Sequence, residues 1–180
     1  MTKIVFAGFG GQGIMTLGQI VAVMAMQQGK QVAWMPSYGA EMRGGTANCS
    51  LVISDLPVGN PYVLSEIDML CALNVPSVDK FLSRVRSGGT VVVNSSIVTD
   101  EVARDDVKVI PVDATNIAAQ AGNVKVQNMA MLGGLMKAGD LFTIDHVEQV
   151  LARVFKGKDP KLIPLNLAAV QAGMQRAKQI

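Results

Sequence analysis

A chain of 180 residues that is 49% hydrophobic can bury a full core, and its length suits a single domain spanning residues 1–180. Sixteen basic residues against 14 acidic ones leave a net charge of +2, too balanced for a nucleic-acid binder. No apolar run approaches the roughly 20 residues that cross a bilayer, and Met1-Thr2-Lys3 runs straight into Ile4-Val5-Phe6-Ala7, too short for a signal peptide; a cytoplasmic protein without membrane contact is expected.

Lys3–Gly8 reads as a buried strand followed by a glycine-rich turn. Residues 13–28 read as a helix with an apolar face at Ile14, Leu17, Val21 and Met24, and Gly29 ends it. Gln31–Met35 is a second strand, Pro36–Thr46 a glycine-bearing loop, and Ala47–Ile53 a third strand. Ser54–Pro61 is a turn region, and Asp68–Leu73 a fourth strand. A helix over Pro76–Arg86, begun by Pro76 or Ser77, is closed by Gly88-Gly89. Thr90–Asn94 and Val107–Pro111 are further strands, with a short helix over Ala114–Ala121. The last third is helical, over Lys125–Ala138, Thr143–Phe155 and Asp159–Ala177, with Thr143 and Asp145 as caps and Pro164 as a kink or restart. Strands alternating with helices define an α/β protein. We expect a three-layer α/β/α sandwich on a mostly parallel or mixed sheet, Rossmann-like in its N-terminal half and helical in its C-terminal third.

Two glycine loops carry the functional signal. Gly8, Gly10 and Gly13 fit G-x-G-x-x-G between a strand and a helix, with Gly11 and Gln12 inside the turn. Glycines there permit a tight turn and close backbone approach, and a helix amino end attracts anions; a plain turn with no ligand fits the same spacing. Gly11 is surplus to the fingerprint and is expected to mark the close approach of another molecule, so that Gly11→Ala leaves the melting temperature of the free chain unchanged. A dinucleotide fingerprint calls for a carboxylate closing the second strand, but that strand ends Ala33-Trp34-Met35-Pro36, and Glu41 falls later. The second loop, Ser37-Tyr38-Gly39-Ala40-Glu41-Met42-Arg43-Gly44-Gly45, should leave the sheet at the same edge. Arg43 can fork onto a phosphate or carboxylate, with Glu41 holding it; a solvated surface ion pair is the other reading.

Cys49 and Cys71 are read as buried thiols, and two cysteines cannot supply the four thiolates of an iron–sulfur cluster. His146 is read as a surface or capping residue, and Met129, Met131 and Met136 as packing or interface. With no carboxylate pair, nucleophile–base set or ligand cluster, the chain is assigned no catalytic residue and no metal site.

The two loops, together with Thr46-Ala47, resemble the gamma subunit of 2-oxoacid:ferredoxin oxidoreductases, a domain also fused within single-chain pyruvate:ferredoxin oxidoreductases. The likeness continues through Val52-Ile53-Ser54-Asp55, Asn60-Pro61, Ala72-Leu73-Asn74, Gly88-Gly89 and Val93-Asn94-Ser95-Ser96, and more faintly through Leu165-Asn166 and Ala172-Gly173. The family often has Gly-Ser-Pro where this chain has Gly59-Asn60-Pro61. The resemblance implies oxidative decarboxylation of a 2-oxoacid with coenzyme A to an acyl-CoA, CO2 and reduced ferredoxin. It favours 2-oxoglutarate or a branched-chain oxoacid, with pyruvate also open. It implies a complex with alpha, beta and ferredoxin-like delta subunits, in which thiamine diphosphate, magnesium and iron–sulfur clusters sit mainly on the other chains. This chain would hold none of them alone. Its contacts with coenzyme A or with partners would come from Gly8, Gly10, Gly11, Gln12, Gly13, Ser37, Tyr38, Glu41, Arg43, Gly44 and Gly45. The competing reading is a free-standing nucleotide- or dinucleotide-binding Rossmann-like protein.

Overall fold

The structure is a computed structural model and describes residues 1–38, 46–139, 142–157 and 159–178. Six strands form one sheet: β1 (Thr2–Phe9), β2 (Gln31–Tyr38), β3 (Thr46–Ser54), β4 (Ile67–Ala72), β5 (Val85–Asn94) and β6 (Lys108–Val112). They lie side by side in the order β2-β3-β1-β4-β5-β6. Only β3 runs against the rest, antiparallel to both β1 and β2, so the sheet is mixed and the other five strands end at one edge.

Alternation along β1 sends Ile4 and Phe6 to one face and Val5 and Ala7 to the other, which separates two cores. The larger core packs under α1 (Ile14–Gln27), α3 (Ala114–Gln120), α4 (Gln127–Ala138), α5 (Ile144–Val154) and α6 (Leu162–Arg176). The smaller lies under α2 (Val75–Phe81) and the connections around it. The layers are those of an α/β/α sandwich, with one layer much the thinner.

Several elements differ from the sequence expectation, each for a local reason. β2 runs through Pro36 to Tyr38, because β2 is an edge strand and a missing N–H is tolerated there. The helix expected to reach Arg86 stops at Phe81, passes through a 3-10 turn at 82–84, and is strand by Val85. Gly88-Gly89 do not cap a helix. They belong to an irregularity in which Ile67 pairs with Val85 but Met69 already pairs with Thr90. The α2 cap is Asn74, whose side chain accepts the Ser77 N–H at 2.9 Å. Pro164 falls in the first turn of α6, where its missing N–H costs nothing. At α5, His146 is a capping residue: its Nδ1 accepts the Thr143 N–H at 3.5 Å.

α4 and α6 cross backbone to backbone at Gly133 and Gly173. A Cβ on Gly133 would overlap the carbonyl oxygen of Val170, and one on Gly173 that of Ala130. Gly133→Ala should therefore destabilise the fold by about 1–3 kcal/mol, while Gly59→Ala, which faces open space, should be near neutral. Denaturant midpoints of the two variants check this; equal midpoints would show that the helices part freely.

Candidate functional site

The five co-directional strands end beside the amino ends of α1, α2, α3 and α4, and the polar residues of the fold collect there. At β1 the chain turns through a bond from Gln12 N–H to the Phe9 carbonyl, 3.1 Å. The Gln12 side chain folds back over the turn: its Oε1 accepts the Phe9 N–H at 2.7 Å and the Asn74 amide at 3.3 Å. The end of β1 is thereby tied to the end of β4. Gly13 caps α1 with φ 78°, and its carbonyl accepts from Asn128 Nδ2 at 3.1 Å, which brings the first turn of α4 against that of α1. At β5, Asn94 is fully buried; its Nδ2 donates to Thr115 Oγ1 at 3.0 Å and its Oδ1 accepts the Ser96 N–H at 3.2 Å. The Ser96 hydroxyl donates to Asp113 at 2.5 Å and accepts the Thr115 N–H at 3.1 Å.

This edge is mostly amide and hydroxyl. No side chain caps α1 or α4, and neither helix has a carboxylate in its first turn. The amino end of α1, with no side-chain cap, lies beside the start of α4, and an uncapped helix amino end favours an anion such as a phosphate or carboxylate.

The predicted residues fall as follows. Gly8 is paired to Ala47, and a Cβ on it would stand 2.7 Å from both Gln12 Oε1 and Ile14 Cδ1, so its smallness serves the turn itself. Gly10 lies within the turn between Phe9 and Gln12. Gly11 is exposed with φ 96°, and a Cβ there would meet nothing within 4 Å; positive φ, rather than a close approach within this chain, explains it. Gln12 and Gly13 form the turn and the cap. Tyr38 ends β2 opposite Ala47. Ser37 sits one residue earlier opposite Asn48, and both line a trough on the α2 face rather than the edge itself. Glu41, Arg43, Gly44 and Gly45 lie outside the described residues; the residues flanking them, Tyr38 and Thr46, stand at the same edge as Phe9.

Asn74, Asn94, Asp113, Gln127 and Asn128 were not among the candidate site residues. The first three share a readable signal: each is the first side-chain amide or carboxylate after an apolar strand run, Met69–Leu73, Val91–Val93 and Val109–Val112. Gln127 and Asn128 have no such signal, since Asn128 meets Gly13 across 115 residues.

The two thiols are buried in the core, Cys49 directly beneath the first turn of α1. Burial pushes Cys49 up to about 11, with the Trp34 indole N–H pulling the other way, and burial also raises Cys71. That buried indole N–H has no hydrogen-bond partner within the described residues, and the Cys49 thiol donates to the Ile14 carbonyl at 3.8 Å. Among the described residues no group of three or more His, Cys, Asp or Glu is placed to hold a metal ion, and no helix is long and apolar enough to cross a membrane. The donor set does not fit an iron–sulfur cluster.

The dinucleotide reading loses its geometry here. β3 is inserted between β1 and β2, and Tyr38 stands where a ribose-binding carboxylate would close the second strand.

Residues 3–176 match the model of the pyruvate ferredoxin/flavodoxin oxidoreductase family, and the chain belongs to that family. It is 37% identical over 179 residues to the ketoisovalerate oxidoreductase subunit VorA of Methanothermobacter marburgensis, covering 98% of this chain but only 37% of that protein's length. It is 34% identical over 182 residues to the 2-oxoglutarate synthase subunit KorC of Methanocaldococcus jannaschii, covering 99% of this chain and 95% of that one. Its fold matches the keto/oxoacid ferredoxin oxidoreductase gamma subunit of Geobacter sulfurreducens with a TM-score of 0.81 at 28% identity, over 97% of both chains. The domain thus occurs both as a whole subunit and as part of a chain nearly three times as long.

The φ of Gly11 sets a test that reverses the sequence expectation. Gly11→Ala should destabilise the free chain by about 1 kcal/mol and lower its melting temperature. An unchanged melting temperature would mean that the turn relaxes without strain.

Proposed function

We propose that this chain is the gamma-type subunit of a 2-oxoacid:ferredoxin oxidoreductase and that its sheet edge receives coenzyme A. The observation that carries the reading is the meeting at one edge of a glycine turn, the uncapped amino end of α1 and side-chain amides, beside the strand ends that flank Arg43. Coenzyme A brings phosphates, which suit free N–H groups and a guanidinium, and a thiol that must reach a reacting centre on another chain. In the overall reaction the oxoacid loses CO2, its acyl group passes to the coenzyme A sulfur, and two electrons pass to ferredoxin. Thiamine diphosphate, with magnesium, supplies the carbanion chemistry when bound to the partner subunits, whose clusters carry the electrons.

The residues of this chain bind and orient. Gly11 and Gly13 hold the turn open, Gln12 and Asn74 brace it, and Asn128 sets α4 beside α1. Arg43 is assigned to a coenzyme A phosphate, with Glu41, Gly44 and Gly45 shaping its loop. Alpha, beta and ferredoxin-like delta subunits and ferredoxin are the partners in this reading, and the cytoplasm is its compartment. A branched-chain oxoacid or 2-oxoglutarate is the favoured substrate in this reading, with pyruvate also open; relatives are named for all three.

The test is made on the assembled enzyme. Arg43→Ala should raise the KM for coenzyme A by roughly ten- to a hundredfold, the equivalent of about 1.5–3 kcal/mol for a charge-assisted contact, and leave the oxoacid KM unchanged. An unchanged coenzyme A KM with assembly intact would remove Arg43 from the site. A panel of 2-oxoacids assayed on the same complex identifies the substrate.

A further inference from the structure

Among the described residues, five helices cover one face of the sheet and the seven residues of α2 are the only helix on the other. α2 rests on β4 and β1, leaving a trough on each side. The trough over β2 and β3 has a volume of about 470 Å³ and a polar floor of Ser37, Asn48 and Ser50. At its margin stand Tyr62 and Leu64, which are 61% and 71% exposed. Its wall is Lys80 and Arg84, one helical turn apart, with their cationic groups 5.3 and 5.5 Å from the centre of the same Phe81 ring. Like charges so spaced repel each other, and among the described residues neither is paired with a carboxylate.

The trough over β5 and β6 is the reverse. Its volume is about 620 Å³, and its floor is apolar, built from Val93, Val98, Val107 and Val109. Asp100, Glu101 and Asp105 rim it. Arg104 also lines it, but its guanidinium is bound to Asp106 at 2.6 Å and to the Leu82 and Val85 carbonyls, which leaves the rim acidic.

One side of α2 thus presents cations and protruding apolar side chains; the other presents carboxylates and an apolar hollow. We propose that two copies of this chain meet through this face about a two-fold axis that runs between their α2 helices. Each copy sets Lys80 and Arg84 against the other's Asp100, Glu101 and Asp105, and Tyr62 and Leu64 of each fill the other's apolar hollow. An interface about a two-fold axis must be self-complementary, and here both halves of the match, in charge and in shape, are on the same molecule. The inference rests on this chain alone and does not depend on the proposed activity.

Sedimentation of the purified full chain tests it. The native chain should dimerise, and its affinity should fall with salt as screening shortens from about 10 Å at 0.1 M to about 3 Å at 1 M. Lys80→Glu with Arg84→Glu should weaken dimerisation about tenfold or more, and Asp100→Lys with Glu101→Lys should do the same. An equimolar mixture of the two double variants should form heterodimers, because one then carries an acidic face and the other a basic one. All four changes in one chain should restore the homodimer. If a charge-reversed variant misfolds, Lys80→Gln with Arg84→Gln gives the same reading in weaker form. A native chain that stays monomeric, or a dimer indifferent to these changes, overturns the proposal. So does a monomer whose Lys80→Glu, Arg84→Glu form fails to join the oxidoreductase complex, which would give this face to a different subunit.

Discussion

Ala47 is paired on both sides, to Gly8 on β1 and to Tyr38 on β2, and the arrangement of the edge depends on that double pairing. It fixes the glycine turn after β1 and the ends of the loop after β2 at one level of the sheet. A slip of one residue would turn Phe6 and Leu51 out of the larger core and carry both loops off the edge together. The register is held by burial on both faces: Ile4, Phe6, Cys49 and Leu51 on one, Val5, Ala7 and Val52 on the other. What could bind at the edge is therefore positioned by the packing of β3, a strand with no residue in the turn itself.

The rest of the edge is joined by amides. Gln12 and Asn74 link β1 to β4, Asn94 and Thr115 link β5 to α3, and Asn128 links α4 to the cap of α1. Most of these side chains spend part of their hydrogen-bonding capacity on backbone groups, so they hold the turns rigid as well as making the site polar. A polar edge braced in this way, beside the uncapped amino end of α1, suits a charged ligand at a low reorganisation cost.

Much of this was legible in the sequence, and the misses have physical causes. Lys3–Gly8, the helix after Gly13 and the strand ending at Asn94 announced themselves because apolar runs there stop abruptly at glycine or asparagine. Pro36 hid the end of β2, since a proline reads as a breaker unless the strand is known to be an edge. Gly88-Gly89 read as a helix stop because a bulge and a cap ask for the same residue. The antiparallel insertion of β3 was invisible, because strand order is a property of pairing rather than of any one strand. Gly11 reads from sequence as a place of close approach, and its positive φ supplies a second reason that no local sequence pattern shows. Asn128 was missed because nothing local ties it to Gly13. The thinness of the α2 layer could not be read from helix counting, which does not say on which face a helix lands.

The edge built around Ala47 is proposed to receive coenzyme A in the assembled enzyme. Hydrogen–deuterium exchange of the complex with and without coenzyme A tests it most directly. Slowed exchange is expected at residues 9–16 and 38–46 and at the start of α4, with the α2 face unchanged. Protection confined to other subunits, with these three segments exchanging as before, would contradict it.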